Sequence, residues 1–155
     1  MKAVALLLLL ASAGLAQRAP DPAPAVRDLL AAPTTVRIGA RLVRLDASLW
    51  RDFMPMAEPN GSPLSAVVRA RTADGSAFPS NAHIVAVWIV RDPDVWTAAV
   101  ADRSDALEPS TNEVVATGGP KWGPGITVEV IARIRKVDGT TILVRAPSRR
   151  INRTD

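Results

Sequence analysis

The chain has 155 residues, with 19 Lys and Arg against 15 Asp and Glu, one histidine and no cysteine. Without cysteine, the sequence has no disulfides, no thiol chemistry and no cysteine metal sites. The formal net charge of +4 is small for a chain that would bind a phosphate backbone, because such binding needs a concentrated basic surface. We therefore expect no nucleic-acid partner.

The first 16 residues follow the three-part pattern of a secretory signal peptide. Lys2 precedes an apolar run from Ala3 to Leu10, and the small residues up to Ala16 offer a cleavage site. The segment is too short to cross a bilayer, which takes roughly 20 apolar residues. The sequence predicts an exported protein, periplasmic or extracellular, with no membrane span in the mature chain.

Residues 17–33 contain four prolines. They predict an extended, mobile linker, because proline fixes φ and removes a backbone donor. Within this linker, Val26 to Ala31 are compatible with one helical turn. We expect one folded domain over residues 34–155, which is enough chain to bury a core of its own.

Alternating apolar and polar residues predict strands through most of this domain. In the run TVRIGARL, residues 35–42, Val36 and Ile38 share one face with Leu42. The run HIVAVWIV, residues 83–90, is apolar at all but its first position, which is typical of a central strand covered on both faces. The other predicted strands are 64–71, 94–100, 113–116, 127–137 and 140–146.

The last predicted hairpin can be checked for register from the sequence. A two-residue Asp-Gly turn would place a charged side chain opposite an apolar one. A three-residue loop, residues 137–139, pairs Ile134 with Ile142 and Ala132 with Val144, so the apolar faces stay together. We therefore predict the three-residue loop, with its glycine in the left-handed conformation and a bulge at that position.

About seven short strands, separated by Pro and Gly turns, predict an all-β fold, an antiparallel sandwich. Trp88 lies midway along the most apolar strand, and the hairpin VEVIARIRKVDGTTILVRAP closes the domain. On these features residues 34–155 resemble an immunoglobulin-like β-sandwich. The runs PMAEPNGSPLSAVVRARTADG and GGPKWGPGITVEV also resemble a group of small secreted bacterial proteins. This second resemblance implies no activity and no functional residues.

The residues that could support catalysis are few. His83 is the one histidine, and no G-x-S-x-G motif accompanies it. The acid pairs Asp52 with Glu58 and Asp92 with Asp94 lie in predicted turns, without the apolar surround that raises a carboxyl pKa for acid catalysis. We expect no enzyme activity, no cofactor and no metal site.

The C-terminal run RAPSRRINRTD concentrates basic side chains: Arg145, Arg149, Arg150 and Arg153. In an exported protein, such a tail is suited to contact an anionic surface, such as an envelope polymer or phospholipid head groups. The alternative is a solvated tail of mixed charge, because four arginines make only a small field.

Tryptophan is costly to expose and is enriched at binding hot spots. Trp50, Trp96 and Trp122 lie beside charges or in turns, and Trp122 stands in the Gly- and Pro-rich loop 118–125. This loop is a stiff finger for a ligand, a plug that closes the core, or both, and we expect it both to close the core and to stiffen a binding surface. We predict that Lys121 and Trp122 form one edge of a ligand-binding site, extended by Trp50 or Trp96.

The sequence thus favours a secreted, non-enzymatic binding or structural module acting at the cell envelope. Its partner would be an envelope polymer or another extracytoplasmic protein, held at the loop or by strand addition at an exposed sheet edge. The alternative is a secreted protease inhibitor that inserts the 118–125 loop into an active-site cleft, with Lys121 or Arg103 read by the protease.

Overall fold

The computed structural model describes residues 23–102 and 110–155. Both the predicted signal peptide, residues 1–16, and Arg103 lie outside these ranges. Within them the chain forms one short helix and ten strands. The elements are α1 Val26–Leu30, β1 Thr35–Ile38, β2 Arg41–Asp52, β3 Leu64–Thr72, β4 His83–Arg91, β5 Asp94–Ala98, β6 Val100–Asp102, β7 Thr111–Gly119, β8 Thr127–Arg135, β9 Thr141–Arg145 and β10 Arg149–Thr154.

All ten strands belong to one mixed sheet, in which β10 joins two halves. The strand order is β5-β4-β8-β10-β2-β3-β7-β6, while β1 pairs with β2 and β9 pairs with β8. Through residues 149–150, β10 lies antiparallel to β8, and through residues 151–154 it lies parallel to β2. The end strand β5 meets β7, the second strand from the other end, where the Trp96 ring packs on Gly119. The sheet is therefore nearly closed.

The main core lies inside this sheet. Along β2, the buried residues Val43, Leu45, Ala47 and Leu49 alternate with outward-facing side chains, as expected for a strand with one face covered. Inward residues of β3, β4, β7 and β8 complete the same cluster. Each large aliphatic side chain buried in this way stabilises the fold by roughly 1.5 to 3 kcal/mol.

A second cluster lies outside the sheet, beneath α1. Leu29 of α1 is 1 % exposed and shares this cluster with Trp88 and Ile131. Trp88 is buried, as predicted, but it does not anchor the main core, because strand alternation points Val87 and Ile89 inward and Trp88 outward. Part of the segment predicted as a mobile linker is thus folded against β4 and β8.

The all-β class is confirmed, but the immunoglobulin-like antiparallel sandwich of about seven strands is not. Gly39, with φ of 58°, breaks the predicted strand 35–42 into the hairpin of β1 and β2. The chain then continues as β2 as far as Asp52. The arginine-rich segment predicted as a tail forms β10, whose pairing with β2 is parallel. None of the helices in the described residues is long and apolar enough to span a membrane.

The predicted hairpin register is confirmed. Ile134 pairs with Ile142 and Ala132 with Val144 across β8 and β9, and Gly139 has φ of 80°. Its N–H donates to the carbonyl of Lys136 at 2.9 Å. The apolar pattern of the two strands was sufficient to select this loop.

Substitution of Gly139 tests the conformational requirement directly. Open space surrounds the position where a Cβ would stand, so alanine meets no steric obstacle. We expect Gly139→Ala to lower the free energy of unfolding by about 1 kcal/mol, through the left-handed backbone alone. Gly139→Asn should lose less than about half of that, because asparagine tolerates this region. Urea unfolding measures both values, and equal losses would contradict the explanation.

Candidate binding site

The side chain of Arg51 is the centre of the candidate site. Arg51 is the last inward-facing residue of β2 and only 3 % exposed. Its Nε donates to the carbonyl of Ser62 at 2.9 Å, and Nη1 donates to the carbonyls of Lys121 at 3.2 Å and Gly123 at 2.5 Å. Its Nη2 donates to the carbonyls of Asn60 and Gly61. One guanidinium therefore satisfies backbone groups of two separate loops, which is how a buried charge becomes tolerable.

The first of the two loops held by Arg51 is the 53–63 loop, between β2 and β3. Asn60 and Gly61 have positive φ values of 66° and 77°. A Cβ on Gly61 would come within 2.7 Å of the Phe53 ring, so this glycine also makes room for the ring. At the tip of the loop, Met54 is 52 % exposed and Met56 is 97 % exposed. The loop is thus packed at its base and apolar at its tip.

The second loop held by Arg51 is the 120–126 loop, between β7 and β8. Trp122 is half-buried and packs against the main core, and the guanidinium carbon of Arg91 lies 4.9 Å from its ring centroid. The N–H of Gly125 donates to the carbonyl of Ile151 at 2.9 Å, which ties the loop to β10. Trp122 therefore mainly closes the core, and Arg91 covers its ring. A ligand would contact that ring only after Arg91 had moved.

A surface ion pair joins the two loops a second time. Lys121 Nζ lies 3.1 Å from Glu58 Oε2 and donates to the carbonyl of Pro59 at 3.1 Å. A protease inhibitor presents the side chain that the protease reads freely in solvent, whereas Lys121 is bound to the neighbouring loop. This geometry does not favour the inhibitor alternative. Arg153 of β10 lies over the ring of Phe53 in the first loop, with 4.2 Å between its guanidinium carbon and the ring centroid. We call the surface formed by the 53–63 loop, the 120–126 loop, Arg91 and Arg153 the loop face.

The other predicted tryptophans lie away from the tip of the loop face. Trp96, on β5, is half-buried at the margin of the main core and seated on Gly119. Trp50 faces outward from β2, between Ser65 of β3 and Asn152 of β10. Of the predicted ligand-binding residues, Lys121 and Trp122 are consecutive in the loop, Trp96 contacts the start of the predicted 118–125 loop at Gly119, and Trp50 lies on the outer face of β2.

The four arginines of the predicted anionic-surface contact do not form one patch. Arg145 pairs with Glu129 at 2.9 Å, and Arg149 pairs with Asp46. Arg150 donates to the carbonyl of Gly125 at 2.9 Å. Arg153 pairs with Asp155, and its hydrogen bond holds the pKa of Asp155 below the ordinary value. Strand alternation in β10 points Arg149 and Arg150 to opposite faces. Each of the four arginines therefore interacts with a different intramolecular partner.

The predicted acid pairs also have other partners. Asp52 accepts a hydrogen bond from the Met54 N–H at 2.9 Å, and Asp94 pairs with Arg91. His83 is exposed at the start of β4. Across residues 23–102 and 110–155, no group of three His, Asp or Glu residues is placed to hold a metal ion.

Arg51 was not among the residues predicted for the site. It occupies the next inward position after Val43, Leu45, Ala47 and Leu49, so the alternation itself contained the signal. An arginine at an inward position of a strand needs buried acceptors, and turn segments rich in Gly and Pro supply free carbonyls. That combination would have pointed to the two loops.

No family model and no curated protein matches the chain. The resemblance to a group of small secreted bacterial proteins therefore stays a prediction. Among solved structures, the crystal structure of CopC from Methylosinus trichosporium OB3b matches with a TM-score of 0.34 and 17 % sequence identity. The match covers 71 % of this chain and 92 % of that chain. A likeness of this size says nothing about what the present chain binds.

Proposed function

We propose that the chain is an exported, non-enzymatic binding module, and that its loop face docks another extracytoplasmic protein. The observation that carries the proposal is the bonding of Arg51, which holds the 53–63 and 120–126 loops to each other from beneath. Export is proposed on the N-terminal sequence pattern described above.

Rigid support lowers the entropic cost of binding. Loops that must be ordered on association lose affinity, whereas loops already fixed lose little. Arg51 fixes the two loops from the buried side, and the pair of Lys121 with Glu58 joins them at the surface. The loops that carry the exposed Met54 and Met56 thus need no rearrangement when a partner binds.

The residue types at the loop face favour a protein over a sugar polymer. A sugar platform needs a free aromatic face, but the Trp122 ring packs on the core and lies under Arg91. Methionine, in contrast, adapts its shape to an apolar partner surface. The core of protein interfaces is enriched in aromatic residues, Met and Arg. The loop face presents Phe53, Met54, Met56, Arg91, Trp122 and Arg153.

The charges of the loop face are balanced, which argues against an anionic polymer. Lys121 pairs with Glu58, Arg153 with Asp155, and Arg91 with Asp94. Each of these three cations is already next to a carboxylate. Recognition by shape and apolar contact fits this surface better than attraction by charge.

Site-specific photo-cross-linking in cells of the source organism tests the proposal. A photo-reactive phenylalanine analogue at Met56 should give a discrete adduct that contains a second protein. The matched control is the same analogue at Val137, which is 68 % exposed on the β8–β9 hairpin. Equal adducts at both positions, no adduct at Met56, or an adduct with a glycan would each contradict docking of a protein at the loop face.

A further inference from the structure

A groove of about 440 Å³ lies on the outer face of the sheet, where β1, β2 and β3 run side by side. Pro147 and Arg149, the latter at the start of β10, line one side of it. The loop face lies at the C-terminal end of β2, whereas this groove lies toward its N-terminal end, around Arg44. The groove is therefore separate from the surface proposed to dock a protein.

Arginines from three segments meet in this groove. Arg44 of β2 stands directly opposite Arg71 of β3, and Thr35 of β1 stands opposite Arg44 on the other side. Residues directly opposite in a sheet project from the same face, and like charges in this arrangement repel each other. Arg149 enters the groove from the segment before β10 pairs with β2. The fold keeps these charges together in spite of that repulsion.

The groove holds one compensating carboxylate. Asp46 lies 3.3 Å from Arg71 and 2.5 Å from Arg149, so two guanidinium groups share it. Partial burial raises the pKa of Asp46, but hydrogen bonds from Arg149 and the Ala47 amide, with the charges of Arg149 and Arg71, hold that pKa below its ordinary value. Within residues 23–102 and 110–155, Arg44 is paired with no carboxylate. Three guanidinium groups against one carboxylate leave a charge of +2 (3 − 1).

We propose that this groove binds a phosphate monoester group, held by Arg44, Arg71 and Arg149. A phosphate monoester carries roughly −1.5 to −2 charges at neutral pH, which matches the uncompensated charge of the groove. Its oxygens accept the forked donors of arginine. The hydroxyl groups of Thr34 and Thr35, which also line the groove, add neutral donors. Of the four arginines predicted to contact an anionic surface, Arg149 is the one that lines this groove.

Calorimetric titration of the purified full chain with inorganic phosphate, at about 0.15 M salt where distant surface charges are screened, tests the site. Arg44→Ala should weaken binding about tenfold or more, because a charge-assisted hydrogen bond is lost. Arg37→Ala is the matched control, since Arg37 is exposed on the same face of β1 but does not line the groove. It should change affinity less than about twofold. Equal losses in both variants, or no binding by the parent chain, would overturn the proposal.

Two further variants keep the test independent of folding. Arg44→Gln keeps a polar, unbranched side chain but removes the guanidinium charge, and it should weaken phosphate binding as Arg44→Ala does. Asp46→Asn removes the carboxylate that competes for Arg71 and Arg149, so it should tighten binding. Weaker phosphate binding by Asp46→Asn, with an unchanged urea midpoint, would contradict the assignment.

The source of the phosphate group is distinguished by two probes. Glycerol phosphate is a soluble monoester, and vesicles of phosphatidylcholine with phosphatidic acid present a monoester on a membrane. Binding to glycerol phosphate that Arg44→Ala weakens assigns a soluble ligand. Binding to the vesicles alone, weakened by the same substitution, assigns a lipid head group. Binding to neither probe would overturn the site.

Discussion

Arg51→Ala should lower the free energy of unfolding by about 3 kcal/mol or more, which is the scale for breaking a buried network of a charged group. The substitution leaves the carbonyls of Asn60, Ser62, Lys121 and Gly123 without their donor. For a domain of this size the loss corresponds to a decrease in Tm of about 10 °C. Urea and thermal unfolding measure both quantities.

Two controls separate hydrogen bonding from packing and charge. Arg51→Met keeps most of the apolar stem but removes the donors, so it should lose nearly as much stability as Arg51→Ala. Arg150→Ala removes an exposed arginine that donates to a single carbonyl, and it should lose less than about 1 kcal/mol. Trypsin cleavage after Lys121 should also become faster in Arg51→Ala, because the loop is released. A loss below about 1 kcal/mol in Arg51→Ala would show that Arg51 does not hold the loops.

Leu29→Ala should lower the free energy of unfolding by about 2 to 4 kcal/mol, the range for a truncated leucine in a packed site. Leu29 of α1 is fully buried against the outer face of the sheet, in the cluster that contains Trp88 and Ile131. A residue in a mobile linker would show no such dependence. The urea midpoint of the full chain, at constant slope, gives the value.

The control for this prediction lies two residues away, on the opposite side of the same helix. Arg27→Ala removes a side chain that is 88 % exposed, so its effect should stay within about 0.5 kcal/mol. If both substitutions changed stability by the same small amount, the segment before β1 would not contribute to the folded domain. Unequal effects would place the N-terminal limit of the folded unit at α1.

Local patterns predicted the strands whose burial is regular. The strands 64–71 and 83–90 appear as β3 and β4, and the hairpin of β8 and β9 has the predicted register. These segments alternate or are uniformly apolar, so burial alone determines their structure. The same rule failed between Thr35 and Leu42, because the alternation continued across a glycine that reverses the chain.

Tertiary position determined the elements that the sequence did not reveal. Of the six residues of β10, only Ile151 is buried. The segment is a strand because its backbone pairs with the edges of β2 and β8. Likewise, α1 has five residues, too few for a stable helix by itself, and it forms because Leu29 covers Trp88. Neither fact can be inferred from the sequence pattern of one segment.

The candidate site could be predicted only in part, for a similar reason. The Gly- and Pro-rich composition around Trp122 indicated a loop that could close the core, and Trp122 packs against that core. What stiffens it is an arginine 71 residues earlier in the chain (122 − 51), and a single-sequence pattern does not connect such distant positions. The arginines after residue 144 were grouped because they are close in sequence, whereas Arg145 lies on β9 and strand alternation in β10 turns Arg149 and Arg150 to opposite faces.

The parallel pairing of β10 with β2 also has a consequence for the order of folding. Ile151 and Leu49, which are register partners, are separated by 102 residues (151 − 49). Contacts between such distant positions form late and slow the folding of a domain. Until β10 is in place, the backbone edges of β2 and β8 stay open to a strand from a second chain. The six residues of β10 therefore cover two strand edges in the native sheet, and a chain without them would leave both edges exposed.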